Sequence, residues 1–563
     1  MEKPNLFIII WSNIYLKSLI IKHLRLYYIF RYKYFNRLED FIIFKYKEYL
    51  SEIIFSFSID KDIDLETILP SNIECIKLHN YYNFNSKVPS FIKSFGRINI
   101  GEDFSNENIK NSNLQKIFIG KISGNKKLNF KELLPNSITS LNIEKYQLSL
   151  ENELPPNLKI LKCQYKAVNK NRAIPQSVTK LKYLMDRDST LTPKTLPDNL
   201  LFLKLEKNFL GHVHLPMENG FVFPQSLTYL EMYCGASLDF RLPSQLKHLD
   251  LEMLESAFPI TTEMLPKTLK TFIFYGGSNF DHDKVVLPDT IEKLEFSLHW
   301  SGNSFNQQLK KQFLPNSLKQ LSFKNHHPSR LQIEKGFNNG GFPLIEEGLF
   351  KHTQLTSIDF GDIFNQPIGI NVLPPTLKKL KFGKCFNQEL IEGSLPYSLE
   401  FLNISNLSYN KFIKPSNPYT IVFSKSYYNQ FENSPEKLLT MKMLPLEFYI
   451  YNEKPSINKY KNLEVLDLSY SKDFIQFSKE DLPSNSIKKL ILNFFFVGEI
   501  DLKYFQNLET IAIKGSNPKI TTSIDENGFY NYYNLKTIKV KSKDYDFLES
   551  AYPLFNQFFS NKK

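Results

Sequence analysis

The stretch LPPTLKKLKF at residues 373–382 decides the fold of this chain. Its Leu-Pro pair is followed by apolar residues three, six and eight positions after Pro374, namely Leu377, Leu380 and Phe382. The same spacing follows other prolines along the sequence: Pro70, Pro135, Pro155, Pro175, Pro197, Pro224, Pro243, Pro266, Pro288, Pro315 and Pro396. A short unit that recurs in this way predicts a solenoid, in which each unit contacts only its neighbours.

The length of the unit narrows the class of solenoid. The first apolar residue after each proline serves as a marker residue, and most steps between successive markers are 19 to 27 residues. Leucine-rich repeats have units of roughly 20–29 residues, whereas ankyrin, tetratricopeptide and HEAT units have roughly 33–47. The period therefore predicts a leucine-rich-repeat-like solenoid.

Each unit carries one short strand. Leu380 and Phe382 are two residues apart, a spacing that puts both side chains on one face of a strand, while Lys379 and Lys381 point to the other face. Stacking these strands side by side predicts a parallel β-sheet with one strand per coil and a continuous core. Proline suits the start of such a strand, because it has no N–H to donate to a sheet.

A hydroxyl residue often lies two positions after the proline. The residues concerned are Ser137, Ser177, Ser226, Thr268, Thr290, Ser317, Thr376 and Ser398. Such hydroxyls can bond nearby backbone and close a turn. The alternative is that they are ordinary surface residues of the turn.

A second motif combines Phe-Asn-Gln, at residues 305–307, 364–366 and 386–388, with Phe-Gly at residues 360–361 and 382–383. With these motifs the chain resembles the FNIP-repeat proteins of the dictyostelid type, most closely over residues 360–404. Over residues 69–323 mainly the Leu-Pro half of the pattern is clear. The resemblance implies leucine-rich-repeat-like coils with no assigned catalytic residues. The motif asparagines either bond backbone as a stacked ladder or are plain turn residues.

The pattern divides the chain into four regions. Residues 1–58 lack the repeat, show helical spacing of apolar residues from Leu16 to Tyr27, and predict an α-helical N-terminal cap with a second helix over residues 37–50. Residues 59–405 hold the Leu-Pro units, and residues 406–460 are either an irregular insertion or degenerate repeats. Residues 461–563 predict plainer leucine-rich-repeat-like units and a terminal cap.

Composition favours a protein of the reducing cytoplasm. The chain has 563 residues, a net charge of +12 and four cysteines, none of which forms a CxxC pair. The apolar run at residues 6–11 is too short to span a bilayer and lacks the features of a signal peptide. Lysines are scattered through almost every repeat, which is typical of a solvated face, and no recognised nucleic-acid-binding module accompanies them.

No catalytic constellation emerges from the sequence. Phosphate loops, dinucleotide fingerprints and kinase signatures are absent. Asp60, Asp62 and Asp64 alternate like the start of a calcium loop, but Leu65 and Ser71 stand where glycine and glutamate are required. We therefore predict no enzymatic activity, no cofactor, no metal and no small-molecule substrate.

The sheet face that stacking leaves uncovered is the candidate binding surface. In the middle units its outward positions combine aromatic rings with both charges, as binding hot spots do. The best candidates are Phe202, Lys204, Tyr229, Glu231, His248 and Asp250.

Three hypotheses of function follow. The first is a scaffold that binds another protein on this face. The second is a substrate adaptor that recruits a ubiquitin ligase through F-box-like N-terminal helices, although the Leu-Pro pair that usually opens an F-box is missing. The third is a basic membrane-surface or nucleic-acid binder.

Overall fold

The computed structural model describes residues 13–79, 82–100, 105–122, 129–148, 154–165, 174–185, 191, 195–207, 221–234, 241–253, 260–275, 285–298, 309–325, 345–362, 364–405, 419–423, 438–443, 463–468, 486–493, 499–501, 505, 507–514, 519–521 and 537–540. The chain forms two compact units, Met1–Leu254 and Glu255–Lys563.

The first unit is a stack of parallel strands, each paired with the next along the chain. The strands are β1 Tyr32–Phe35, β2 Glu52–Phe55, β3 Cys75–Leu78, β4 Ser94–Ile100, β5 Lys116–Ile122, β6 Ser140–Leu148, β7 Ile160–Tyr165, β8 Lys180–Met185, β9 Phe202–Lys207, β10 Tyr229–Cys234 and β11 His248–Met253. Short helices occupy some of the connections: α2 Leu38–Ile42, α3 Leu65–Ile68, α4 Glu107–Lys110 and α5 Phe130–Leu133.

The second unit repeats this arrangement. Its strands are β12 Thr271–Tyr275, β13 Lys293–Leu298, β14 Gln320–Asn325, β15 Ser357–Asp359, β16 Lys379–Phe382, β17 Phe401–Ile404, β18 Tyr419–Phe423, β19 Leu438–Met443, β20 Val465–Leu468, β21 Lys489–Asn493, β22 Glu499–Asp501, β23 Thr510–Lys514, β24 Lys519–Thr521 and β25 Thr537–Val540. All pairings are parallel, and β22 and β24 form a separate pair beside the main stack. The predicted solenoid of short parallel strands is confirmed.

The Leu-Pro pair makes a tight turn just before the strands that follow it. The amide of Leu377 donates to the carbonyl of Pro374 at 3.1 Å, and the corresponding bond recurs from Ile73 to Leu399. The turn aims the marker residue inward, where Leu377 is fully buried. The strand that follows then bonds to the strand of the preceding coil.

The hydroxyl two residues after the proline joins neighbouring coils. Ser398 Oγ donates to the carbonyl of Leu377, the marker of the preceding coil, at 2.7 Å. The same bond, of 2.7 or 2.8 Å, joins Ser137 to Leu114, Ser177 to Leu158, Ser226 to Leu200, Thr290 to Leu269, Ser317 to Ile291 and Thr376 to Leu355. Ser486, three residues after Pro483, makes an equivalent bond of 2.9 Å to Leu463. These side chains therefore bridge successive coils rather than closing their own turns.

Inward-facing phenylalanines stack in the coils that carry the second motif. Ring centroids are 5.4 Å apart between Phe296 and Phe323, 6.4 Å between Phe323 and Phe360, and 5.5 Å between Phe360 and Phe382. All four rings are buried. We call these four residues the inner ring ladder. A second buried column joins Phe364 to Phe386.

The Phe-Asn-Gln motif forms a ladder step between two coils. Asn365 Oδ1 accepts hydrogen bonds from the backbone amide of Asn387 at 2.8 Å and from Gln388 Nε2 at 3.1 Å. The motif asparagine was expected either to bond backbone as part of a stacked ladder or to be a plain turn residue, and between these two coils Asn365 forms the ladder. The first copy, at residues 305–307, lies outside the described residues.

Glycine is required in the Phe-Gly motif because the backbone of the neighbouring coil lies very close to it. Gly361 has a φ of 69°, and a Cβ atom added there would lie 1.7 Å from the carbonyl oxygen of Phe323. A Cβ added at Gly383 would lie 2.1 Å from the carbonyl oxygen of Gly361. Side chains at these positions would push the coils apart.

The N-terminal region combines one helix with the first strands of the stack. Helix α1, Ile14–Phe30, buries Leu26 and Phe30, and the ring of Phe30 stacks on Tyr46 at 4.3 Å. Strands β1 and β2 lie inside the segment in which the sequence indicates no repeat, because neither follows a Leu-Pro pair.

The second helix predicted over residues 37–50 is wrong. The segment forms the short α2 and a single 3-10 turn at Lys47–Tyr49. Its apolar residues instead join an aromatic cluster, in which Phe35 lies 5.2 Å from Phe41 and 5.6 Å from Phe44.

Two strands fall within the stretch at residues 406–460. Strands β18 and β19 pair in parallel with their neighbours in the stack. Of the two alternatives for this stretch, its described part favours degenerate repeats over an insertion. The remainder of the stretch and the terminal cap expected after the last repeat units lie outside the described residues.

Candidate interaction surface

The six predicted surface residues lie in two rows on one face of the sheet. In β9 the side chains of Leu203 and Leu205 are buried, so Phe202 and Lys204 point to the opposite face. The parallel register aligns Phe202 with Tyr229 and His248, and it aligns Lys204 with Glu231 and Asp250. All six side chains are partly exposed. The structure thus brings together every residue that the sequence selects for this surface.

The first row is a stacked column of rings. Phe202 and Tyr229 have centroids 4.1 Å apart with 15° between their planes, and Tyr229 and His248 have centroids 4.0 Å apart with 4° between their planes. On the far face of Phe202 lies Lys180 Nζ, 4.5 Å from the ring centroid. We call Phe202, Tyr229 and His248 the outer ring column.

The second row is a line of charges beside the rings. Lys204 Nζ lies 2.5 Å from Glu231 and 3.1 Å from Glu206. Burial alone would lower the pKa of Lys204, but hydrogen bonds and charge attraction from both glutamates outweigh it and raise the pKa. The lysine therefore stays charged and is held in place.

The phenol of Tyr229 ties the two rows together. Its hydroxyl donates to Glu231 Oε2 at 3.2 Å. Burial, followed by the nearby charge of Glu231, raises the pKa of Tyr229 to about 12. The hydroxyl remains protonated near neutral pH and continues to fix the orientation of the glutamate.

Sequence reasoning missed the continuation of this surface onto β7 and β8. Lys162 and Lys182 are register partners there, and Lys182 is in turn the partner of Lys204. Ile160 and Leu201 expose 40% and 47% of their surface. The available signal was that the segments ILKCQY and KLKYLM contain no carboxylate residue.

The corresponding face of the second unit has a different character. Glu295 is only 3% exposed and lies 3.0 Å from Lys324 and 3.4 Å from Lys293. Further along, Lys381 pairs with Asp359 at 2.9 Å. Both carboxylates are therefore paired with lysines of their own or of a neighbouring strand.

The described part of the chain offers few side chains that could bind a metal ion or act as a nucleophile. It contains no cluster of three or more His, Cys, Asp or Glu side chains able to hold a metal ion. Cys163 is fully buried, as its inward strand position predicts, and burial raises the pKa of its thiol to about 12. None of the described helices is both long enough and apolar enough to cross a membrane.

Comparison with known sequences finds FNIP repeats. The FNIP Repeat family model matches residues 297–326 and 353–385. An FNIP repeat-containing protein of Dictyostelium discoideum is 34% identical over 110 residues, a match that covers 20% of this chain and only 19% of the relative's own length. Another from the same organism is 26% identical over 384 residues, covering 60% of this chain and 98% of the relative.

Solved structures that resemble the chain include leucine-rich-repeat proteins. The circular LRR protein CroV588 is 23% identical and aligns with 91% of this chain and 69% of its own, with a TM-score of 0.49. TLR13, solved in complex with the RNA ssRNA13, is 12% identical and aligns with 91% of this chain and 85% of its own, also with a TM-score of 0.49. The chain therefore contains FNIP repeats at residues 297–326 and 353–385, and it is similar to FNIP repeat-containing proteins of Dictyostelium discoideum.

Proposed function

We propose that this protein is a non-enzymatic scaffold of the cytoplasm that binds another protein on the outward sheet face of β9–β11. The observation that carries the proposal is the outer ring column, which is partly exposed and bordered by Lys204 and Glu231. Rigid aromatic groups within a polar border are the usual anchors of protein interfaces. The rings are held by backbone register and stacking, so little conformational entropy is lost when a partner docks.

The experiment compares tagged full-length chains expressed in the cells of the source organism. The test variant is Phe202→Ser with Tyr229→Ser, and the matched control is Tyr397→Ser, which removes a tyrosine that is 75% exposed in a turn of the other unit. Co-purifying proteins are quantified by mass spectrometry. We expect a near-stoichiometric partner that the wild type and the control retain and that the test variant loses at least about tenfold. An unchanged set of partners in the test variant would refute the proposal.

A second candidate function is the ligase adaptor. The observation that favours it is the exposed apolar surface of α1, where Tyr15, Leu24 and Tyr27 expose 74%, 58% and 46% of their surface. Deleting residues 1–58 would also remove β1 and β2, so the better test is Tyr15→Ser with Leu24→Ser, which leaves the stack intact. Loss of ligase subunits from the purified complex with this variant alone would support an adaptor, and unchanged recovery would count against it.

A further inference from the structure

We propose that Thr356 is a phosphorylation site, at which a phosphate between Lys319 and Lys378 completes a row of alternating charges. The row consists of the six residues that directly precede strands β12 to β17: Lys270, Glu292, Lys319, Thr356, Lys378 and Glu400. We call it the turn-edge row. It belongs to the second unit, so this inference does not depend on the proposed binding face of β9–β11.

Backbone hydrogen bonds hold the members of the turn-edge row beside one another. The amide of each member donates to the carbonyl of the member in the preceding coil, at 2.8 or 2.9 Å. Thr356 donates to Lys319 in this way and accepts from Lys378. Because neighbouring strands are only about 4.8 Å apart, the side chains of successive members lie within reach of one another.

The charges of the row alternate except at Thr356. Glu292 accepts hydrogen bonds from both lysines that flank it, Lys270 at 2.7 Å and Lys319 at 2.9 Å. Further along, Lys378 donates to Glu400 at 2.9 Å. The order is lysine, glutamate, lysine, threonine, lysine, glutamate. Thr356 therefore stands at the position where the alternation calls for an anion.

Glu292 shows how strongly this row favours an anion between two lysines. Hydrogen bonds from Lys270 and Lys319 lower the pKa of Glu292 to about 2. A phosphate on Thr356 would lie between Lys319 and Lys378 in the same arrangement. It carries about −1.5 to −2 charge near pH 7 and offers three acceptor oxygens, so it can accept a charge-assisted hydrogen bond from each lysine.

Thr356 differs from the other threonines at this position of the repeat. Three threonines of the first unit also directly precede a strand and donate from Oγ1 to a carbonyl of the preceding coil: Thr139, Thr179 and Thr228. Each of them has a lysine on one side only, because the neighbour on the other side is Gln115 or Leu201. The pair of flanking lysines thus distinguishes Thr356.

The hydroxyl of Thr356 is open to an enzyme. The residue is partly exposed, and its Oγ1 makes only a long bond of 3.3 Å, to the carbonyl of Lys319. The strand that follows, β15, is three residues long and is the shortest of the main stack in the described part of the chain. Little sheet structure must therefore open for a protein kinase to take up this segment.

The transfer needs a nucleoside triphosphate as the second substrate of that kinase. The bond between Thr356 Oγ1 and the γ-phosphorus forms while the bond from this phosphorus to the β–γ bridging oxygen breaks. The nucleoside diphosphate leaves, and the hydroxyl proton passes to a basic group of the kinase.

The first experiment maps phosphate on the full-length chain, purified from the source cells with phosphatase inhibitors present. Peptides that contain Thr356 are quantified by mass spectrometry before and after phosphatase treatment. We expect a phosphorylated form of this peptide that the phosphatase removes. Recovery of the peptide in its unmodified form alone would overturn the proposal.

The second experiment tests whether the two lysines receive the added charge. The variant Thr356→Glu is compared by hydrogen exchange with the wild type and with Thr228→Glu, the matched control that has a lysine on one side only. We expect Thr356→Glu to slow exchange in β14–β16 about fivefold, the factor that two exposed ion pairs of about 0.5 kcal/mol each supply. The control should slow exchange in β9–β11 by less.

The slower exchange should disappear when Thr356→Glu is combined with Lys319→Gln and Lys378→Gln, and it should shrink in high salt. The phosphorylated chain, compared with the same chain after phosphatase treatment, should behave like Thr356→Glu. Faster exchange in β14–β16 on adding the charge, or slowing that persists without the two lysines, would overturn the assignment of this position to a phosphate.

Discussion

Each unit of this protein has a ladder of stacked aromatic rings, on outward positions of the strands in the first unit and on inward positions in the second. The inner ring ladder in the second unit, Phe296 to Phe382, is buried, with centroids 5.4 to 6.4 Å apart. The outer ring column in the first unit, Phe202 to His248, is partly exposed, with centroids 4.0 and 4.1 Å apart. Parallel strands place identical positions beside each other, so either face can align rings. The face decides whether the rings hold coils together or remain available to a partner.

The largest expected effect is the difference in unfolding free energy between alanine substitutions in the two ladders. Phe382→Ala should destabilise the surrounding coils by about 3–5 kcal/mol, because it removes a buried ring and leaves a cavity. Phe202→Ala should cost only about 1 kcal/mol, the size of a stacking pair at a partly exposed site. Hydrogen exchange measured by mass spectrometry can localise both effects.

Since repeat units contact only their neighbours, faster exchange in Phe382→Ala should centre on residues 345–405. Equal destabilisation by the two substitutions would show that the outer ring column is a structural element, and the comparison would fail.

The next prediction tests how tightly the coils of the inner ring ladder approach. Gly361→Ala should destabilise the second unit by about 3 kcal/mol or more, because both the φ of 69° and the contact with the Phe323 carbonyl are unfavourable for a side chain. The matched control is Gly348→Ala, where φ is 76° but no atom lies within 4 Å of the added Cβ. The control should cost about 1–2 kcal/mol. Thermal unfolding of both variants checks the difference, and equal midpoints would contradict the account of Phe-Gly.

The sequence predicts the inner face better than the outer one. Residues such as Leu377 and Phe382 follow a fixed spacing from the proline, since burial constrains every inward position in the same way. The outward positions carry no such constraint, so the lysines of β7 and β8 become visible only once register places Lys162 beside Lys182. Strands β1 and β2 escaped prediction because tyrosines and isoleucines form them without the Leu-Pro turn.

A smaller effect is expected from the hydroxyl bridge between coils. Ser398→Ala should cost about 1 kcal/mol, since the carbonyl of Leu377 loses one hydrogen bond. Ser398→Thr should restore the bond, because threonine makes the same contact at Thr376 and Thr290. Chemical denaturation of the three proteins checks the order. A threonine variant as unstable as the alanine variant would argue against the bridge.

The smallest effect concerns an exposed ladder of charges. Hydrogen bonds from Lys270 and Lys319 lower the pKa of Glu292 from 4.5 to about 2. A depressed carboxyl pKa stabilises the fold above the ordinary value and loses that contribution as pH falls toward the folded value. Glu292→Gln should therefore unfold slightly earlier at neutral pH, and the difference should disappear between pH 4.5 and about 2 and shrink in high salt. A stability difference between the wild type and Glu292→Gln that persists at pH 2 would contradict the assignment of this contribution to the charge of Glu292.

The most direct test of the central claim is site-specific crosslinking. Phe202 is replaced by the photoreactive analogue benzoylphenylalanine, which keeps an aromatic ring at that position, and Tyr397 is replaced in the same way as the exposed control. After irradiation in the source cells, we expect one protein partner to be joined to position 202 and absent from position 397. Crosslinks that appear equally at both positions, or at neither, would contradict the assignment of the outer sheet face as the binding surface.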